Sequence, residues 1–323
     1  MVKLSRILNF RNIVIIIICL LLIILMAYSD IYLQSVRNGL NLYVVSVLPS
    51  MLPFFFFSKM LTELGFATDA GQFLKKPLRK IYGSPSIGGY ILIMSMLCGY
   101  PVGAKLIGEC YKKCLINKEE ARTISTFSST SGPLFIIGTV GVGMFENKIY
   151  GFILLISHYI GTLLNGIIYR RKSLSSANIP SFARSEDMLN SVMLNTFLSV
   201  GIVGGYITIF NLFLDVFQNI GIIPGIAKIF AFLGVPNRIT SGVAGGLIEM
   251  TKGCLMLSST GFPILIILPL CEFVITFGGL SVTLQSMTFL SETKLSPAFY
   301  LLSKFTQGIL CTLICFIIIL IVI

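Results

Sequence analysis

The chain has 323 residues, 55% of them hydrophobic and only 11% charged, with a net charge of +11 and a mean hydropathy of +0.92. Soluble domains carry about 25% charged residues, so too little polar surface remains to face water, and a soluble enzyme is excluded. The positive balance does not point to nucleic acid either, because Lys and Arg in so apolar a chain mark loops on one side of a membrane.

In hydrocarbon every backbone polar group must be satisfied within the protein, which leaves helices or a closed barrel. Barrel strands alternate apolar and polar residues over about ten positions. Here the apolar residues run on without alternation, at 13–26, 40–57 and 308–323. The expected class is an all-α polytopic membrane protein.

In chain order, Lys3, Arg6 and Arg11 precede the first apolar run, and Ala27-Tyr28-Ser29 follows it. A cleaved signal peptide has this form. The membrane span that follows at once favours a retained first helix over residues 1–30. Residues 40–172 and 190–323 then read as two repeats, joined by a cytoplasmic linker at 173–189.

Each repeat opens on a span, 40–57 and 190–214, followed by shorter amphipathic pieces. Next comes an apolar segment broken by glycine and polar residues. It is 87–110, interrupted at Gly99-Tyr100-Pro101-Val102-Gly103, and 239–257, interrupted at Glu249-Met250-Thr251-Lys252-Gly253. A span with a small, polar centre follows, 123–145 and 263–289, and each repeat ends on a further span, 149–169 and 297–323. A shift of about 151 positions carries Gly83-Ser84-Pro85 onto Gly234-Val235-Pro236, and Phe127-Ser128-Ser129-Thr130-Ser131 onto Gly278-Gly279-Leu280-Ser281-Val282.

If the two broken segments are re-entrant hairpins, each repeat crosses three times and the repeats are inverted. With the N-terminus cytoplasmic, seventeen of the 24 Lys and Arg then fall inside. Only Arg37, Lys148, Lys228 and Arg238 fall outside, as the positive-inside rule requires. Full crossings would instead split the cluster at 75–80 from that at 112–122. Paired interruptions in two repeats point to a transporter binding site.

A charge at mid-membrane costs about 2.5–3.5 kcal/mol on insertion scales, so such residues are functional candidates. Lys105, Lys252, Glu249 and Glu272 qualify. Glu249 and Lys252 are three apart and can pair on a helix. Alternatively Lys105 and Lys252 face each other and hold an anion, helped by half-helix N-termini at 128–132 and 279–281. Lys304, near the start of the last span, is expected to snorkel to the surface. His158, the only histidine, reads as a packed, hydrogen-bonded residue, with a proton relay as the alternative. Most of the eight cysteines lie in apolar runs and read as small core hydrophobes, and Cys110 and Cys114, four apart, lack a zinc signature. No catalytic set or phosphate loop stands out, so no enzyme activity, cofactor or metal is expected.

Four stretches carry a resemblance. They are Val47-Leu48-Pro49-Ser50-Met51-Leu52-Pro53-Phe54-Phe55, Cys98-Gly99-Tyr100-Pro101-Val102-Gly103-Ala104-Lys105, Phe127-Ser128-Ser129-Thr130-Ser131-Gly132-Pro133-Leu134-Phe135 and Gly278-Gly279-Leu280-Ser281-Val282. Together they resemble the sporulation integral membrane protein YlbJ (SpoVV) family, whose gate or nucleoside-recognition repeat is similar to that of concentrative nucleoside transporters. The resemblance implies transport of dipicolinic acid across the outer forespore membrane. The alternatives are a carrier of nucleosides or other small metabolites on the same fold, and a non-transporting scaffold for spore assembly. The expected substrate-binding set is Gly99, Tyr100, Gly103, Lys105, Ser128, Ser129, Thr130, Ser131, Glu249, Lys252, Gly279, Ser281 and Gln285. The expected partners are that small anion and the lipid bilayer, without nucleic acid; the oligomeric state stays open.

Overall fold

The structure is a computed structural model. It describes residues 10–171, 187–232 and 234–322. Of the charges sorted by side above, Lys3, Arg6, Lys172 and Arg184 lie outside the described residues, as does most of the expected linker. Of the described residues 84% are helical, and no strand occurs among them.

The first helix, α1 (Phe10–Ala27), turns by 101° at Tyr28 into α2 (Ser29–Asn41). A π-helical piece (Leu42–Val47) continues directly into α3 (Leu48–Glu63), so the expected span at 40–57 lies inside one longer helical run. Two short helices, α4 (Phe66–Phe73) and α5 (Lys75–Tyr82), lead to α6 (Ile87–Cys98) and α7 (Val102–Lys112). Then come α8 (Lys118–Ser125), a second π-helical piece (Phe135–Met144) and α9 (Lys148–Ile168). The second half holds α10 (Met188–Asn219), α11 (Ile222–Phe232), α12 (Asn237–Gly246), α13 (Met250–Ser258), α14 (Ile264–Phe277), α15 (Gly279–Leu290) and α16 (Pro297–Val322).

The two halves are not element-for-element copies: the first has two short helices, α4 and α5, where the second has α11. Gly83 and Gly234, matched by the 151-residue shift, both take positive φ, at 67° and 85°. Among the described residues, four helices are long and apolar enough to cross a membrane, or up to six if each bent pair counts as one span. The expected span at 123–145 is not one helix: α8 stops at Ser125 and the chain is unwound through Gly132. Ser128, Ser129, Thr130 and Ser131 explain the stop, because their hydroxyls compete with the helical ladder.

The outer helices are apolar outside and polar inside. On α9 the exposed stripe is Ile149, Phe152, Ile156, Ile160, Leu164 and Ile167, and the buried stripe includes His158, Thr162 and Asn165. On α16 Leu302, Phe305, Ile309, Leu313, Phe316 and Leu320 are exposed, whereas Tyr300, Ser303, Lys304 and Gln307 are buried. Water would reverse this pattern; lipid selects it. α9 and α16 pack so closely that a Cβ on Gly161 would lie 2.8 Å from the backbone of Cys311, the small-residue contact that membrane helices use.

Basic loops gather at one end. Lys112 pairs with Glu292 at 2.7 Å, and Arg171 pairs with Glu119. The Arg122 guanidinium sits 3.9 Å from the Phe299 ring centre. Tyr82, at the end of the basic helix α5, stacks on Phe127 at 4.6 Å and touches Gly166 near the end of α9. Both ends of the α6–α7 segment therefore lie on the same side of the molecule.

Candidate functional site

The first segment turns at Gly99, where φ is 77°, and at a cis Tyr100-Pro101 bond. α7 then returns along α6, with Gly103 against Ser95. The second segment turns at 247–249, and α13 returns along α12. There Gly253 packs on Gly246, so closely that a Cβ would lie 2.7 Å from the Gly246 nitrogen. Glu249 starts α13, its carboxylate accepting from the Thr251 and Lys252 amides at 3.0 and 2.7 Å. This corrects the expected Glu249–Lys252 ion pair. The lysine ammonium reaches the other way, to 4.0 Å from Asp215, because the carboxylate is already held as a helix cap.

Each tip meets a broken helix. Gly99 abuts Gly132 in the first half. In the second half α14 ends and α15 begins at Gly278 and Gly279, with φ of 78° and 65°. The Leu280 and Ser281 amides donate to the carbonyls of Leu247 and Ile248 at 2.9 and 3.1 Å. The N-terminus of α15, expected to face an anion, is thus closed by the tip's own carbonyls.

The unwound stretch 126–132 is satisfied by side chains. Asn165 donates to the Thr126 carbonyl at 2.8 Å, and Ser95 to that of Ser128. Lys304 and Gln307 both donate to the Ser129 carbonyl at 3.0 Å. The Ser129 hydroxyl shares a hydrogen bond with Tyr300 at 2.9 Å. The Ser131 amide donates to His158 Nε2 at 2.9 Å. Irregular backbone at membrane depth survives only when its polar groups are met in this way.

Lys304 corrects the expectation that it snorkels. It is 1% exposed, and its ammonium donates to Tyr100 Oη at 2.7 Å and Gln307 Oε1 at 3.1 Å, besides Ser129. Tyr100 passes the interaction on, donating to the Thr276 carbonyl at 3.0 Å. The Thr276 hydroxyl donates to Glu272 Oε1 at 2.8 Å, and His158 Nδ1 lies 3.0 Å from the same oxygen. A backbone amide can only donate, so His158 Nε2 is an acceptor here and the neutral ring carries its proton on Nδ1, toward Glu272. His158, Glu272 and Cys311 hold one N, one O and one S within 4.8 Å of one another. Nδ1 is already committed to the carboxylate, and Lys304 supplies the positive charge a metal would bring.

Where both tips and both breaks converge lies a small cavity of about 40 Å³. Gly99, Tyr100, Ser131, Glu249, Ser281 and Gln285 line it, with Val47, Met51, Val203, Tyr206 and Ile207 as its apolar walls. Gln285 Nε2 is buried and has no hydrogen-bond partner among the described residues. The remaining expected residues stand elsewhere. Gly103, Ser128, Ser129 and Thr130 form the packed junction behind Tyr100, and Gly279 sits under the second tip. Lys252 reaches toward Asp215, and neither Lys105 nor Lys252 lines the pocket. The sequence did carry a signal for the network that was missed. His158, Thr162 and Asn165 recur at helical spacing on an apolar span, as do Tyr300, Lys304, Gln307 and Cys311.

Broken helices buried around polar side chains, inside a coat of exposed apolar ones, define a multi-pass integral membrane protein. The chain is 28% identical over 304 residues to sporulation integral membrane protein YlbJ of Bacillus subtilis (strain 168), covering 85% of this chain and 74% of that protein. The chain is thus a homologue of YlbJ over most of its length, in line with the resemblance drawn from its motifs. No family model and no solved structure matches it.

Proposed function

We propose that the chain is a transporter whose two repeats are inverted and whose central pocket carries a small organic anion, dipicolinate, across the outer forespore membrane, with the N-terminus in the cytoplasm. The observation that carries this reading is the pocket itself: both tips and both breaks contribute to one cavity. A scaffold has no need of unwound backbone held at depth by polar side chains such as Asn165, Lys304, Gln307 and His158, whereas a carrier needs groups that can exchange partners. The substrate comes from the family resemblance.

The pocket supplies an anion with less charge than a pair of lysines would. Its cation is Lys304, one hydrogen bond behind Tyr100. Gln285 offers a free donor. Glu249 opposes an anion, but both of its oxygens already accept backbone hydrogen bonds.

Purified protein in liposomes should take up labelled dipicolinate, and excess nucleoside should not compete. Gln285→Leu removes one charge-assisted hydrogen bond, which contributes about 1.5–3 kcal/mol, and should weaken apparent affinity about tenfold or more. Nucleoside uptake without dipicolinate uptake would assign the pocket to the nucleoside carriers. Uptake of neither would favour the scaffold.

A further inference from the structure

We propose that Glu272 is the proton site of this carrier: it takes up one proton when an anion occupies the central pocket, so that substrate and proton move together. This rests on the transport reading above and adds the coupled ion to it.

The observation is geometric. Glu272 is fully buried. Its Oε1 accepts from His158 and Thr276, while Oε2 is buried and has no partner among the described residues. An unmet carboxylate oxygen in so dry a place is where a proton would settle. The same carboxyl is linked to the pocket through His158, whose Nδ1 meets Glu272 and whose Nε2 accepts from the Ser131 amide; Tyr100 holds the carbonyl of Thr276, the residue whose hydroxyl donates to Glu272. Tyr100 and Ser131 both line the pocket. Occupancy and protonation therefore act on one hydrogen-bonded chain.

The groups facing Glu272 set the sign. His158 on α9 is held neutral by the Ser131 amide. Lys304 on α16 is the positive charge facing it. Cys311 and Cys315 on α16, Cys254 on α13 and Tyr100 at the first tip also face it. In the empty carrier the Lys304 ammonium balances one carboxylate. An anion arriving beside Tyr100 presents the same ammonium with a second negative charge. Like charges sharing a site disfavour the ionised carboxyl, and one proton relieves the repulsion. No bond other than the carboxyl O–H forms, and solvent donates that proton.

Binding of dipicolinate to the purified, full-length protein tests this in weakly buffered detergent solution containing a pH indicator. Dipicolinate should raise the solution pH by uptake of about one proton per site. Its affinity should fall about tenfold per pH unit above the titration midpoint, the one-proton limit. Glu272→Gln should still bind, with no proton uptake and a flat profile, whereas Glu249→Gln should keep the slope. Infrared difference spectra of the wild type should show a protonated carboxyl band on binding, which Glu272→Asp shifts; this holds even if the Gln variant fails to fold. Binding without proton uptake, uptake retained in Glu272→Gln, or uptake lost only in Glu249→Gln would overturn the inference while leaving transport intact. Absence of dipicolinate binding would overturn the transport reading itself, and this inference with it.

Discussion

Lys304→Met is expected to destabilise the folded protein by about 3–5 kcal/mol, the cost of removing one partner of a buried charge set. The methionine fills the volume but donates nothing. The Ser129 carbonyl keeps only Gln307, Tyr100 loses the donor to its hydroxyl, and Glu272 loses the facing charge. Equilibrium unfolding of the purified protein in detergent or bicelles measures the effect. The second arm is Lys304→Met combined with Glu272→Gln, which removes both charges. Residues in one network are non-additive by about 0.5–3 kcal/mol, so the double variant should be more stable than the two single losses predict. A single-variant loss below about 1 kcal/mol, as for an exposed lysine, would show that Lys304 does not hold the break.

That lysine also marks the limit of what the sequence discloses. The class of the fold and the positions of both interruptions are legible, because they depend on local properties. Continuous apolar runs give spans, and Ser/Thr/Gly clusters give breaks, as at Ser128–Ser131 and Gly278–Gly279. The partners of those breaks are not legible. His158 and Glu272 are 114 residues apart, and Tyr100 and Lys304 are 204 apart; only packing of the two halves brings them together. Charge at membrane depth singled out Lys105 and Lys252 by their closeness to the interruptions. Position along the helix axis decides otherwise. Lys252 reaches toward Asp215 and neither lysine lines the pocket, while Lys304, dismissed as an end residue, points inward along the polar stripe of α16. Periodicity of the polar residues on the outer spans was the more informative signal, since a membrane helix needs no polar stripe unless something inside must be hydrogen-bonded.

Gly99→Ala is expected to be nearly as damaging as loss of Lys304, for a steric reason. With φ of 77° and ψ of −167°, Gly99 occupies a region that L side chains essentially do not enter, at about 1–3 kcal/mol. Its new Cβ would also lie 2.9 Å from the Gly132 Cα and closer still to the Gly132 nitrogen. Overpacking of this kind adds about 1–3 kcal/mol, so the sum is about 2–6 kcal/mol. Gly253→Ala meets only the second cost, against the Gly246 backbone. Gly201→Ala on α10 is the control, because its Cβ would meet nothing within 4 Å. A helical Gly→Ala there should stabilise by about 0.4–1 kcal/mol through the unfolded chain. Unfolding free energies ordered Gly99→Ala below Gly253→Ala below wild type below Gly201→Ala would show that the tips are held by backbone-on-backbone contact. Equal effects at Gly99 and Gly201 would instead show that the first tip yields freely, and then the pocket it walls could not have a fixed shape. The junction of tip and break is where the two demands on this chain meet: the backbone must be irregular to open a polar pocket in lipid, and glycine is what lets irregular backbones touch closely enough to keep their hydrogen bonds out of the hydrocarbon.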